Sequence, residues 1–82
     1  MENVFHTTKA NFGQGMRNCI VIRRKPSQMP PSIDLELMRL GCIGHMDGPN
    51  SRLTFEFFSV EGFEQGKKLL EHCFWKETPE DT

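Results

Sequence analysis

The sequence predicts a small α+β domain with the element order ββαββα. The clearest observation is that Leu53, Phe55 and Phe57 occupy every second position, with polar residues between them. This period of two is typical of a strand with one buried and one solvated face. Two segments with apolar residues at helical spacing, 33–40 and 63–74, follow the second and the last predicted strand. The two helices are therefore expected to cover the Leu53, Phe55 and Phe57 face.

Length and composition indicate one folded domain. The chain has 82 residues, of which 37% are hydrophobic and 26% are charged, so we expect a domain over residues 1–76 and an acidic, flexible tail at 77–82. No apolar run is long enough to span a membrane, and the first residues lack the pattern of a signal peptide. Three cysteines, an odd number without a framework spacing, favour reduced thiols in the cytoplasm.

The first part of the chain predicts a β-hairpin. Residues 2–8 are rich in the types that strands favour. Gly13 and Gly15 mark a turn. Residues 16–24 then predict a second strand, in which the apolar run Cys19–Ile22 places apolar side chains on both faces. Such a strand is expected at the centre of a sheet.

A proline-rich connector separates this hairpin from the first helix. Residues 25–31 contain three prolines, which favour an extended chain. Ser32 can cap a helix that begins at Ile33. Gly41 is placed to end that helix in the left-handed conformation. The apolar stripe of the predicted helix consists of Ile33, Leu37 and Leu40.

The second half predicts another hairpin and a longer helix. Residues 42–46 form a short strand, and a loop at 47–51 joins it to the phenylalanine-rich strand. Ser59 can cap the second helix, predicted at 61–75. Gly66 within this helix costs about 1 kcal/mol relative to alanine, which indicates close backbone packing. The apolar stripe consists of Phe63, Gly66, Leu70, Cys73 and Phe74.

These elements assemble into one predicted architecture. We expect a four-stranded antiparallel sheet in the order 1-2-4-3 with both helices on one face. From the second strand onward, the order βαββα resembles the first five elements of a ferredoxin-like domain. The N-terminal strand would take the place of the missing last strand, so the likeness is to a circularly permuted ferredoxin-like fold. An architectural likeness of this kind implies no function.

The cysteines and histidines do not form a recognisable catalytic or metal-binding motif. Cys42 and His45 have a C-x2-H spacing, but on a strand they point to opposite faces. On a helix, His72 and Cys73 diverge by about 100°, and zinc usually requires four converging ligands. The sequence therefore predicts no enzyme, no cofactor and no metal site. A minor catalytic or metal site built from these four residues is a third interpretation.

The densest basic cluster could bind phosphates or an acidic protein surface. It consists of Arg23, Arg24 and Lys25, and Arg17 could extend it. Residues 1–41 carry six Lys/Arg against three acids, net +3, and the remainder carries four against eight, net −4. A general nucleic-acid binder usually has a net basic field. A nucleic-acid-associated regulator that uses Arg17, Arg23, Arg24 and Lys25 is therefore the alternative function.

The predicted sheet also has an apolar surface away from its helices. Phe58 falls on that face, and Cys19 and Val21 join it if the isoleucines of their strand point to the core. Glu56 lies on the same face and would repel phosphate, which disfavours RNA binding there. Five methionines and two open edge strands add adaptable surface for a protein partner.

We therefore predict a small cytoplasmic, non-catalytic protein-interaction module that binds and modulates or inhibits a larger protein or complex. Self-association into a homodimer is expected, and a membrane partner is not. The predicted partner-binding residues are Arg23, Arg24, Lys25, Phe58 and Glu56.

Overall fold

The fold is an α+β arrangement of one sheet and two helices. A computed structural model describes residues 4–11, 15–22, 31–47 and 52–79. The elements in chain order are β1 (Val4–Asn11), β2 (Met16–Ile22), α1 (Pro31–Arg39), β3 (Cys42–Asp47), β4 (Arg52–Phe57), α2 (Val60–His72) and β5 (Lys76–Glu77).

The sheet has the strand order β3-β4-β2-β1-β5. β1 pairs with β2, β2 with β4, and β4 with β3, each time antiparallel. The predicted order of these four strands, 1-2-4-3, is therefore confirmed. The prediction of a purely antiparallel, four-stranded sheet is wrong, because β5 adds a fifth strand parallel to β1.

The short strand β5 forms because the chain returns to the sheet after α2. Trp75 is buried in the core and directs the next residues along β1. Thr78 then donates two hydrogen bonds to the carbonyl oxygen of Phe5, from its backbone N at 2.8 Å and its Oγ1 at 3.2 Å. The sequence pattern predicted an acidic tail here and gave no sign of this strand.

α1 begins before its predicted first residue, Ile33, and ends where predicted. Pro31 is its first residue, a position that suits proline because the missing N–H would have no partner within the helix. The prediction that Ser32 caps a helix beginning at Ile33 is wrong, because Ser32 is the second residue of α1. Gly41 adopts a φ of +86° after the last turn, and its backbone N donates to the carbonyl oxygen of Met38 at 3.1 Å. The predicted glycine stop is therefore confirmed.

α2 begins at its predicted cap and ends earlier than predicted. The Oγ of Ser59 accepts a hydrogen bond from the backbone N of Gly62 at 3.0 Å. The last helical residue is His72, after which Phe74 has a φ of +68°. The backbone N of Trp75 donates to the carbonyl oxygen of Leu70 at 2.9 Å, which closes the helix with a Schellman motif.

Phe74 consequently does not belong to the apolar stripe of α2. Its side chain is 91% exposed, whereas Trp75 takes the buried position next to it. The stripe prediction is wrong at this residue because the left-handed turn rotates Phe74 out of the helical register.

The core lies between the helices and one face of the sheet. Residues from both helices pack with Leu53, Phe55 and Phe57 in one buried cluster, as the period-two pattern predicted. The close packing predicted at Gly66 is also present. A Cβ added there would lie 2.8 Å from Cζ of Phe57 and 3.2 Å from Cδ1 of Ile20.

Candidate interaction surface

The face of the sheet away from the helices is termed the outer face. Because Ile20 and Phe55 point into the core, their strand neighbours point the other way. The ladder register places Cys19 of β2 and Ile43 of β3 on either side of Glu56 of β4. The outer face includes His6, Thr8, Arg17, Cys19, Val21, Ile43, His45, Thr54 and Glu56.

Glu56 lies at the centre of this face and is 6% exposed. Nε of Arg17 contacts its Oε2 at 3.0 Å, and Nε2 of His45 contacts its Oε1 at 3.0 Å. Each carboxylate oxygen therefore has a nitrogen partner, and the bond from Arg17 is charge-assisted. A buried carboxylate without such partners would strongly destabilise the fold, so the two contacts explain how β4 accommodates an acid.

Two exposed apolar side chains lie beside this ion pair. Phe58 is 51% exposed, and the guanidinium carbon of Arg17 lies 5.3 Å from its ring centroid, within the range of a cation–π contact. The backbone N of Phe58 donates to the carbonyl oxygen of Gly41 at 3.1 Å, which fixes the position of the Phe58 backbone. Ile43 is 45% exposed and sits opposite Glu56 in the ladder. We call Phe58, Ile43 and Arg17 the Phe58 patch.

Other residues of the outer face are buried. Val21 is 3% exposed, and Cys19 and His6 are also buried. The prediction that Cys19 and Val21 would form an exposed apolar surface is therefore wrong. β2 lies between β1 and β4, so side chains of both neighbouring strands flank these two residues. Burial, followed by the charge of Glu56, raises the pKa of the Cys19 thiol.

The structure brings together part of the predicted site. Arg17 contacts both Glu56 and Phe58, although Glu56 is buried and its charge is paired with Arg17. The basic cluster at residues 23–25, which contains Arg23, Arg24 and Lys25, lies outside the described residues. The role of this cluster in partner binding remains a prediction.

Cys42 and His45 point to opposite faces, as their spacing on a strand predicted. Sγ of Cys42 donates to the carbonyl oxygen of Leu37 at 3.2 Å on the helical side, whereas His45 contacts Glu56 on the outer face. Burial, with a smaller contribution from Asp34, raises the pKa of Cys42 to about 11. The thiol is therefore protonated at neutral pH and is a poor nucleophile. Within the described ranges, no group of three or more His, Cys, Asp or Glu residues could hold a metal ion.

Sequence reasoning missed the contribution of His45 to the outer face. Its contact with Glu56 depends on the register of β3 against β4, in which His45 lies diagonally from Glu56. One signal was present in the sequence: an acid between two core phenylalanines on a central strand requires cationic or donor partners on neighbouring strands.

Comparison of the chain with protein-family models, with curated proteins and with solved structures finds no match. Among the described helices, none has the length and apolar character needed to cross a membrane.

Proposed function

We propose that this chain is a small, non-catalytic protein-interaction module that binds a larger protein or complex and modulates or inhibits it. The observation that carries the proposal is the pair of exposed apolar side chains, Phe58 and Ile43, beside the paired carboxylate of Glu56. Aromatic and arginine residues are enriched among the residues that contribute most to protein–protein affinity. Phe58 and Arg17 supply both types in direct contact.

The pairing of Glu56 makes this surface suitable for a protein partner. Binding a second protein removes water from the interface, which is costly for any polar group that loses its hydrogen bonds. Both carboxylate oxygens of Glu56 already contact nitrogen atoms within the chain. A bound protein therefore need not supply hydrogen bonds to them in place of water. The exposed ring of Phe58 can then be buried at little polar cost.

Homodimer formation and a cytoplasmic location belong to the same proposal. A second copy could bury Phe58 and Ile43, although Val21 is already buried within one chain and needs no partner for this. The likeness to a circularly permuted ferredoxin-like fold is likewise an interpretation of the element order.

The alternative function, a nucleic-acid-associated regulator, depends on a basic cluster outside the described residues. Arg17, the one described member of its residue set, contacts Glu56 and Phe58. Because its charge is paired with Glu56, Arg17 should bind a phosphate more weakly than an unpaired arginine would. Strong binding of a duplex or single strand that weakens steeply with salt would favour the alternative.

The proposal is tested with matched phenylalanine variants. The chain is immobilised, and proteins that it retains from a lysate of its source organism are identified by mass spectrometry. The purified partner is then titrated by calorimetry. Phe58→Ser should weaken binding about 30-fold or more, the effect of losing a residue that contributes roughly 2 kcal/mol. Phe74→Ser removes an exposed ring elsewhere and should leave affinity unchanged.

Thermal unfolding of both variants shows whether each remains folded. Equal affinity of Phe58→Ser and wild type for the partner would contradict the proposed surface.

A further inference from the structure

Arg17 keeps hydrogen-bond donors for a ligand at the Phe58 patch. Its Nε contacts Oε2 of Glu56 at 3.0 Å, and 25% of its side chain is exposed. In the described part of the chain, its contacts are with Glu56 and the ring of Phe58. Because a guanidinium carries five N–H donors, the terminal nitrogens Nη1 and Nη2 retain donors that face water. Among the described residues, the one buried side-chain nitrogen or oxygen without a hydrogen bond belongs to Arg52.

The neighbours of Arg17 hold these donors beside an apolar ring. The contact with Glu56 fixes one side of the guanidinium, and its carbon lies 5.3 Å from the ring centroid of Phe58. The ring lies close to Gly41, since a Cβ added at Gly41 would be 3.8 Å from its Cδ2 atom. The patch therefore presents an apolar surface and a donor group side by side, already arranged for a ligand.

A protein that covers Phe58 must also satisfy Arg17. Burying the ring removes water from the adjacent guanidinium, and a charged donor without a hydrogen bond in a dry interface is costly. A partner that offers no acceptor at this position is therefore rejected, whereas one that offers an acceptor loses nothing.

The charge of Glu56 disfavours a carboxylate as this acceptor. Glu56 is 6% exposed and already compensates the charge of Arg17. A second carboxylate on the same guanidinium would lie close to that of Glu56, and like charges repel most strongly where water is excluded. A neutral His45 adds no further charge to the network. A carbonyl oxygen accepts the hydrogen bond without introducing this repulsion.

From this arrangement we infer that the partner presents an uncharged element to the Phe58 patch. It consists of an apolar side chain that packs on Phe58 and Ile43, next to a backbone or amide carbonyl that accepts a hydrogen bond from Arg17. Arg17 then determines which partners bind. The inference rests on the proposed function, because it specifies the chemistry of the partner at the same surface.

The test uses N-acetyl-phenylalanine methylamide, which has an apolar ring, two carbonyl groups and no charge. Its titration is followed by NMR of the labelled protein. We expect an affinity on the order of 1 mM, with shifts around Arg17, Ile43 and Phe58. N-acetyl-phenylalanine, which has a carboxylate in place of the methylamide, should bind at least about threefold more weakly. Binding of the methylamide should change by less than about twofold between about 50 and 500 mM salt.

Two lysine variants separate the donor geometry from the charge. Arg17→Lys keeps a positive charge beside Glu56 but lacks the planar group with its fixed donors, so binding should weaken about fivefold to tenfold. Arg39→Lys, the same exchange in an exposed pair on α1, should have no effect. Thermal unfolding shows whether both variants remain folded.

Three outcomes overturn the inference: no binding of the methylamide, equal or tighter binding of the carboxylate, or wild-type affinity of a folded Arg17→Lys variant. The proposed function is judged separately, by the affinity of Phe58→Ser for the captured partner. If the methylamide fails to bind while the partner still depends on Phe58, the inference falls and the proposed function stands. If the partner binds Phe58→Ser as it binds wild type, the proposed function falls, and the inference falls with it.

Discussion

Gly66→Ala tests how tightly α2 packs on the sheet. In an exposed helix, replacing glycine by alanine stabilises by about 1 kcal/mol. Here the added Cβ would lie 2.8 Å from Cζ of Phe57 and 3.2 Å from Cδ1 of Ile20, and both side chains are buried. Neither can move into solvent, and overpacking of this kind costs about 1–3 kcal/mol. The net result should be a loss of up to about 2 kcal/mol.

The assay is urea unfolding at equilibrium, supported by thermal unfolding. A loss of 1 kcal/mol should lower the melting temperature by roughly 4–8 °C in a domain of this size. Gln65→Ala, at the exposed neighbouring position, should change stability by less than about 0.5 kcal/mol. In a Phe57→Leu background the ring is absent, so Gly66→Ala should become neutral or stabilising. A gain of about 1 kcal/mol from Gly66→Ala in the wild-type background would refute the packing of α2 described above.

Three further predictions concern stability. Phe55→Ala should destabilise by roughly 3–5 kcal/mol, whereas Thr54→Ala on the outer face should cost little, and equal urea midpoints would mean that the faces are reversed. Because the folded pKa of Cys42 is raised to about 11, the unfolded chain loses that proton first, near pH 9.0, so stability should fall as the pH rises from 9.0 to about 11. Cys42→Ala should flatten this decline, and an unchanged slope in pH-dependent urea titrations would contradict the assignment. Arg17→Met leaves the buried carboxylate of the outer face with one fewer partner and should cost about 1–3 kcal/mol. Arg39→Met breaks an exposed pair on α1 and should cost less than about 0.5 kcal/mol, so similar losses would show that the buried ion pair has no special weight.

Local signals in the sequence predicted most of the fold. The alternation around Phe55 identified the core face, Ser59 identified the start of α2, and Gly41 identified the end of α1. Each of these features depends on residues close together in the chain. β5 could not be predicted in this way, because it depends on the burial of Trp75 against distant parts of the chain.

The candidate site was predictable only in part for the same reason. The alternation placed Phe58 and Glu56 on the outer face, since both belong to one strand and its continuation. The partners of Glu56 come from β2 and β3, and Arg17 and His45 reach it only in the observed registers. The prediction that Val21 is exposed is wrong, because burial in a central strand depends on the side chains of both neighbouring strands.

The central claim is that a partner protein binds the Phe58 patch. It is tested most directly by hydrogen exchange of the backbone amides with and without the purified partner. We expect protection of the segments around Ile43 and Phe58, and no protection along the exposed side of α2. Protection confined to α2, with exchange around Ile43 and Phe58 unchanged, would contradict the claim.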